Sequence, residues 1–186
     1  MGFVNGKKIM TLEERINRII CASEVELAGE AYEGKYELNN GKSIKEFILG
    51  KFRGKIKNLD TGNDITISKQ SAQKITSHFR DGYTYQKIIA YVPQIVENMQ
   101  FLAEMKPEKN NAKFSNYSYY ITRVNIDGES HTILSTVGSV EQEIYYDQNV
   151  FKGTPEEVFM KAKSSIADDV KYSRLAEILR GTKRGD

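Results

Sequence analysis

From Asn116 onward the apolar residues of this chain stop recurring at helical spacing and begin to alternate, and that switch constrains the fold more than any other feature. Tyr117 to Ile126 alternates with a period of two. Asp127-Gly128 reads as a tight turn, and Ser130 to Gly138 repeats the alternation, which predicts an antiparallel pair. Glu143 to Tyr146 predicts a third strand ending at Asp147. Before the switch the pattern is mostly helical, so the expected class is α+β, with helices packed on one face of an antiparallel meander of three to four strands.

Thr11-Leu12-Glu13-Glu14 is a capping box, and Leu12, Ile16, Ile19, Ile20, Leu27 and Ala31 follow at near-helical spacing. They predict an opening helix of about twenty residues, with Cys21 as a small buried filler. A short helix is expected after Ser43, through Ile44, Phe47 and Ile48. Lys55-Ile56-Lys57 and Ile65-Thr66-Ile67 flank Asp60-Thr61-Gly62-Asn63 and predict a β-hairpin. Ser68 is an N-cap for a helix to about Arg80, with Ala72, Ile75 and Phe79 inward. A second central helix carries Tyr85, Ile88, Ile89 and Val92, kinks at Pro93, and continues through Ile95, Val96, Met99 and Leu102. Thr154-Pro155-Glu156-Glu157 opens another helix, and Val170 to Leu179 forms the last. The expected organisation is an N-terminal helical and hairpin extension over 1–63, an α+β core over 64–150, and C-terminal helices over 151–186.

Composition excludes several classes. One cysteine in 186 residues rules out an intrachain disulfide framework and a Cys-rich zinc site. The longest apolar run, Ile88 to Val92, stops at Pro93, far short of the roughly 20 residues of a membrane-crossing helix. Residues 1–10 lack the apolar stretch of a signal peptide, so the expectation is a cytoplasmic protein without membrane association. No glycine-rich phosphate loop is present, which disfavours nucleotide-dependent chemistry. The net charge of +2 conceals an asymmetry: Lys42 to Arg80 holds nine basic and three acidic residues, a local +6. A segment of that kind is either a phosphate-contacting surface or an edge protected by lysines.

Candidate functional residues are few. Ser71, Lys74 and His78 share one stripe of their helix, where a neighbouring Lys tunes His78 toward a neutral base. On the strands, Tyr117, Tyr119, Ile121, Arg123 and Asn125 share one face, and His131, Ile133, Ser135 and Val137 share one face of the next strand. Arg123 beside Tyr119 can hold a phosphate with its planar fork, or it can pair across strands with Glu129 or Glu143.

Asp64-Ile-Thr-Ile-Ser-Lys-Gln-Ser-Ala-Gln-Lys-Ile-Thr-Ser-His78 is a strand running into a basic helix. Then come a helix from Ile88 to Asn98 that ends in Ile95-Val-x-Asn98, Tyr119-Tyr-Ile-Thr-Arg-Val-Asn-Ile-Asp-Gly128, and Ile144-Tyr-Tyr-Asp147. Over about residues 64–150 this order resembles phage and mobile-element domains of the barnase/EndoU/colicin/RelE-like nuclease superfamily, found in polyvalent and head-associated proteins. The resemblance implies a metal-independent ribonuclease without a cofactor, acting on single-stranded RNA by transesterification at the 2′-hydroxyl. Carried onto this chain, it implies His78 as base, Arg123 as charge stabiliser and His131 or a Tyr hydroxyl as acid. Lys69, Lys74, Tyr119 and Ser135 are then the substrate-binding residues. Some members of the superfamily are degenerate, so the alternative is a non-catalytic binding or regulatory module of a phage polyvalent or head-associated protein, with a protein partner or inhibitor. Convergence of His78, Arg123 and His131 on one pocket distinguishes the two.

Overall fold

The computed structural model describes residues 3–4, 7–27, 41–77, 83–106, 116–140, 143–164 and 170–180. In chain order they form β1 (Phe3–Val4), β2 (Lys7–Lys8), α1 (Leu12–Cys21), β3 (Val25–Glu26), α2 (Gly41–Phe52), β4 (Gly54–Lys57), β5 (Asp64–Ile67), α3 (Lys69–Ser77), α4 (Tyr83–Ala90) and α5 (Val92–Asn98). There follow β6 (Gln100–Met105), β7 (Asn116–Ile126), β8 (Glu129–Val140), β9 (Glu143–Lys152), α6 (Pro155–Ser164) and α7 (Val170–Arg180). The expectations at Ala31, Phe79 and Arg80 fall outside the described residues, as does His78.

The α+β class holds, and the meander β6–β7–β8–β9 is antiparallel throughout. Local chemistry sets the ends of its elements. The Thr11 capping box is formed, with Glu14 N–H donating to Thr11 Oγ1 at 3.1 Å and Thr11 N–H to Glu14 Oε2 at 2.9 Å. Ser68 Oγ accepts from Ser71 N–H at 3.2 Å and caps α3. The predicted hairpin pairs Gly54 to Lys57 with Ile67 to Asp64, across the boundary expected at residue 63. Helix α4 ends before Tyr91 and α5 restarts at Val92-Pro93, because Pro93 has no N–H to carry the ladder onward.

Helices cover both faces of the sheet, where one was expected. Tyr119, Ile121, Leu134 and Phe151 pack under α1, α6 and α7 with Leu12, Ile19, Val158, Phe159, Leu175 and Ile178. On the opposite face Tyr120 and Val137 join the core of α2, α3, α5 and β5, while Val124, Ile126, Ile133 and Val150 pack on α4 and α5. Strand β7 therefore buries successive residues from Tyr119 to Thr122, with both sides of its pleat covered.

Three further expectations are corrected. Helix α1 is 10 residues long, because the chain leaves it at Ala22, crosses the sheet edge as β3 parallel to Val124–Asn125, and delivers Leu27 to the opposite core. Cys21 is exposed at the end of that helix rather than buried. The central helix stops at Asn98, and Gln100 to Met105 is strand β6. A bulge between Phe101 and Ala103 shifts the register there and leaves Leu102 and Ala103 in the same core, which hides the alternation of a strand. Among the described residues no helix is long and apolar enough to cross a membrane.

Candidate functional site

The registers of β7, β8 and β9 fix where each candidate side chain lies. Arg123 is opposite Thr132, and His131 is opposite Val124. Successive residues point to opposite faces, so Arg123 and Tyr119 share the face under α1, α6 and α7, while His131 and Ser135 lie on the face under α2 to α5. The sheet separates Arg123 from His131.

Each of these groups is also enclosed or engaged. Arg123 forms an ion pair with Glu24, its Nε donating at 2.9 Å and its terminal nitrogen lying at 2.8 Å from Glu24 Oε1, and it reaches Ile20 O at 3.5 Å. The pairing partner is Glu24, contributed by the segment between α1 and β3, and not Glu129 or Glu143. Asn125 Nδ2 at 2.8 Å and Ser130 Oγ at 2.7 Å also donate to Glu24. The Ser130 hydrogen bond, with those from Asn125 and Arg123, holds this carboxyl below its ordinary range against the opposing effect of burial. His131 is 6% exposed, with Nδ1 3.3 Å from Glu129 O, and Ser135 and Tyr119 are buried. Lys69 and Lys74 are exposed on α3, whose Ala72 and Ile75 pack into the core on the His131 side of the sheet.

A second constellation fixes the basic hairpin. Asn58 is fully buried; its Nδ2 donates to Val96 O at 2.9 Å and to Met99 O at 2.8 Å, and its Oδ1 accepts from Thr61 N–H and Oγ1, each at 2.9 Å. Asp60 receives both terminal nitrogens of Arg18 at 2.8 and 2.9 Å and the N–H of Phe101 at 2.8 Å, which ties the turn to α1 and β6. Lys51, Arg53, Lys55 and Lys57 stand exposed on this rigid frame. Tyr120, the tyrosine beside it, is buried, and its hydroxyl is pushed above the usual range chiefly by that burial. The basic segment and the Tyr117/Tyr119 face therefore lie on opposite sides of the sheet.

Sequence reasoning passed over Glu24, Asn58 and Asp60. Glu24 lies between α1 and β3, and Asn58 and Asp60 lie between β4 and β5, where no local spacing marks them. Apart from the contact of Asn58 with Thr61, their partners lie 38 to 106 residues away, beyond any local pattern. Among the described residues no group of three or more His, Cys, Asp or Glu side chains is placed to hold a metal ion.

No curated protein and no solved structure matches this chain. A family profile does: the description large polyvalent protein-associated domain 3 matches residues 35–146, from before α2 to within β9. The matched stretch supplies α2 to α5, β6 to β8 and the face of the sheet that they cover, whereas α1, α6 and α7, which cover the other face, lie outside it. Covering 112 of 186 residues, the match shows that the chain belongs to the large polyvalent protein-associated domain 3 family.

Proposed function

We propose that the chain is a non-catalytic binding module of a large polyvalent protein of phage or mobile-element origin, working in the cytoplasm. The observation that carries this reading is the separation of Arg123 from His131 by a sheet covered on both faces. General acid–base catalysis needs its groups within hydrogen-bond reach of one substrate atom. Arg123 is held by Glu24, and a phosphate would have to displace that carboxylate to reach the guanidinium. His131, at 6% exposure, has no open approach to a 2′-hydroxyl.

The ribonuclease reading keeps one observation in its favour, which is that β5, α3, α4–α5 and the meander follow one another in the order of the nuclease-like superfamily. Incubating the purified chain with total RNA, with and without EDTA, separates the two. The binding-module reading expects intact RNA in both. Cleavage that EDTA leaves untouched and His78→Ala abolishes would restore the ribonuclease and return single-stranded RNA as its substrate, with Lys69 and Lys74 at the phosphates.

A further inference from the structure

The β4–β5 hairpin turns one face to the core and the other to water. Ile65 and Ile67 are buried on the inner face, and Ile56 packs against the same core. The register then sets Lys55 opposite Thr66 and Lys57 opposite Asp64 on the outer face. Lys55, Lys57 and Asp64 are exposed there. Arg53 and Lys69, also exposed, flank the ribbon at the end where Gly54 pairs with Ile67.

These four cations are uncommitted: Arg53, Lys55, Lys57 and Lys69 form no ion pair among the described residues. Two carboxylates lie between Arg53 and Lys69 in the chain. Asp60 is taken by both terminal nitrogens of Arg18, and Asp64 forms no ion pair among the described residues. Four positive charges therefore stand against one free carboxylate. Protection of a sheet edge accounts for Lys55 and Lys57 on β4 but not for Arg53 and Lys69, which lie outside both strands. The array is also held in place, since Asn58 ties the turn to Val96 and Met99, and Asp60 ties it to Phe101. Its backbone has little freedom left to lose on binding.

We propose that this face docks on the phosphate backbone of double-stranded DNA, without regard to base sequence. A duplex carries one negative charge per roughly 1.7 Å of its axis, and exposed lysines meet phosphates as point charges. Sites for single strands add aromatic side chains on which bases stack. The outer face has none, and Phe52, next to Arg53, packs against the core. A polypeptide partner is anchored chiefly by apolar and aromatic side chains, and those of the outer face are Lys55, Lys57, Asp64 and Thr66. DNA is stiff over about 150 base pairs, so a rigid array of cations meets a rigid array of phosphates. The proposal rests on the reading of the chain as a binding module and names what the module binds.

The test is fluorescence anisotropy of the full chain with a labelled DNA duplex of about 20 base pairs, titrated from about 50 to 200 mM sodium chloride. Two duplexes of unrelated sequence should bind equally, and four phosphate contacts give a log–log salt slope of about −3.6. The double variant Lys55→Gln, Lys57→Gln should weaken binding at least tenfold at the low salt and halve the slope to about −1.8. Arg53→Gln with Lys69→Gln should do the same and serves if the first variant does not fold. Lys161→Gln with Lys163→Gln removes the same charge from α6, which packs on the other face of the sheet, and should change the affinity less than twofold. No binding at low salt, or equal weakening by the α6 pair, would overturn the proposal. So would tighter binding of the single strand, of an RNA duplex, of polyglutamate or of phosphatidylserine vesicles. DNA binding by a chain that also cuts RNA would sink the non-catalytic reading alone. An inert chain without DNA binding would sink this proposal alone.

Discussion

Replacing Glu24 by Ala tests whether Arg123 is part of the scaffold or of a reactive site. The substitution strands the Arg123 guanidinium, the Asn125 amide and the Ser130 hydroxyl, all of which converge on one carboxylate at 2.7 to 2.9 Å. Hydrogen bonds to a charged group contribute about 1.5–3 kcal/mol each when sheltered. Here the Glu24 and Arg123 side chains keep 20% and 26% of their surface, so solvent screens much of that. A loss of about 2 kcal/mol is expected, or about 4–8 °C in Tm for a chain of this length. Arg123→Ala should cost about the same, and the double variant clearly less than the sum, since both changes break one cluster. The pH dependence has a definite sign. The folded protein holds Glu24 below the ordinary value of 4.5, so its contribution is present above pH 4.5 and disappears as the pH falls through the folded value. The gap between wild type and Glu24→Ala, measured by urea denaturation, should be constant from pH 7 to about pH 5.5 and shrink below pH 4.5. An Arg123→Ala protein of wild-type stability would refute the assignment of this arginine to the scaffold.

Asn58→Ala orphans the Val96 and Met99 carbonyls and the Thr61 N–H, and should cost about 3 kcal/mol in urea denaturation. Asn58→Asp should be worse at pH 7, where a carboxylate would face those two carbonyls, and should recover as the pH is lowered. Gly153 has φ +110°, a conformation that L side chains rarely adopt, so Gly153→Ala should lower stability by about 1–3 kcal/mol in the same assay. The pair Lys55→Glu and Lys57→Glu should change stability by less than about 0.5 kcal/mol, as exposed substitutions do. Tyr119 and Tyr120 are buried and offer no stacking surface, so if both lysines contact phosphates their loss would flatten the log–log salt slope of poly(U) binding by about 1.4. An unchanged slope would assign both lysines to protection of an edge strand.

The parts of this fold that were legible in the sequence are those in which local chemistry decides. Thr11, Ser68 and Thr154 announce their helices because an N-cap satisfies orphan N–H groups within three residues. Asp127-Gly128 announces the β7–β8 turn, where both residues have positive φ and Gly128 N–H donates to Asn125 Oδ1. The parts that were not legible depend on distant partners. Ile95, Val96, Met99 and Leu102 repeat at helical spacing, yet Met99 turns extended because Asn58 takes its carbonyl and β7 takes the next residues as a strand. Alternation along β7 and β8 correctly sorted Arg123 and His131 within their own strands. It gave no register between the strands, and register is what sets the two on opposite faces.

The helices outside the family-matched stretch are integral to the fold. Tyr119, Ile121, Leu134 and Phe151 present an apolar face whose cover is α1, α6 and α7. A chain cut after Gly153 would lose the buried Val158, Phe159, Leu175 and Ile178, each of which stabilises by roughly 1.5–3 kcal/mol on burial, about 6–12 kcal/mol together. That is comparable with the whole stability of a domain, about 5–15 kcal/mol. It would also leave Phe151, fully buried in the intact chain and 5.0 Å from the Tyr172 ring between centroids, open to water. The fragment 1–153 should therefore bind a hydrophobic dye and melt without a cooperative transition, although it contains all of the residues that the family profile matches. If instead it melts cooperatively and keeps the amide dispersion of the β7–β8 strands, α6 and α7 are an appendage, and the face beneath them is free to serve as a surface for a partner.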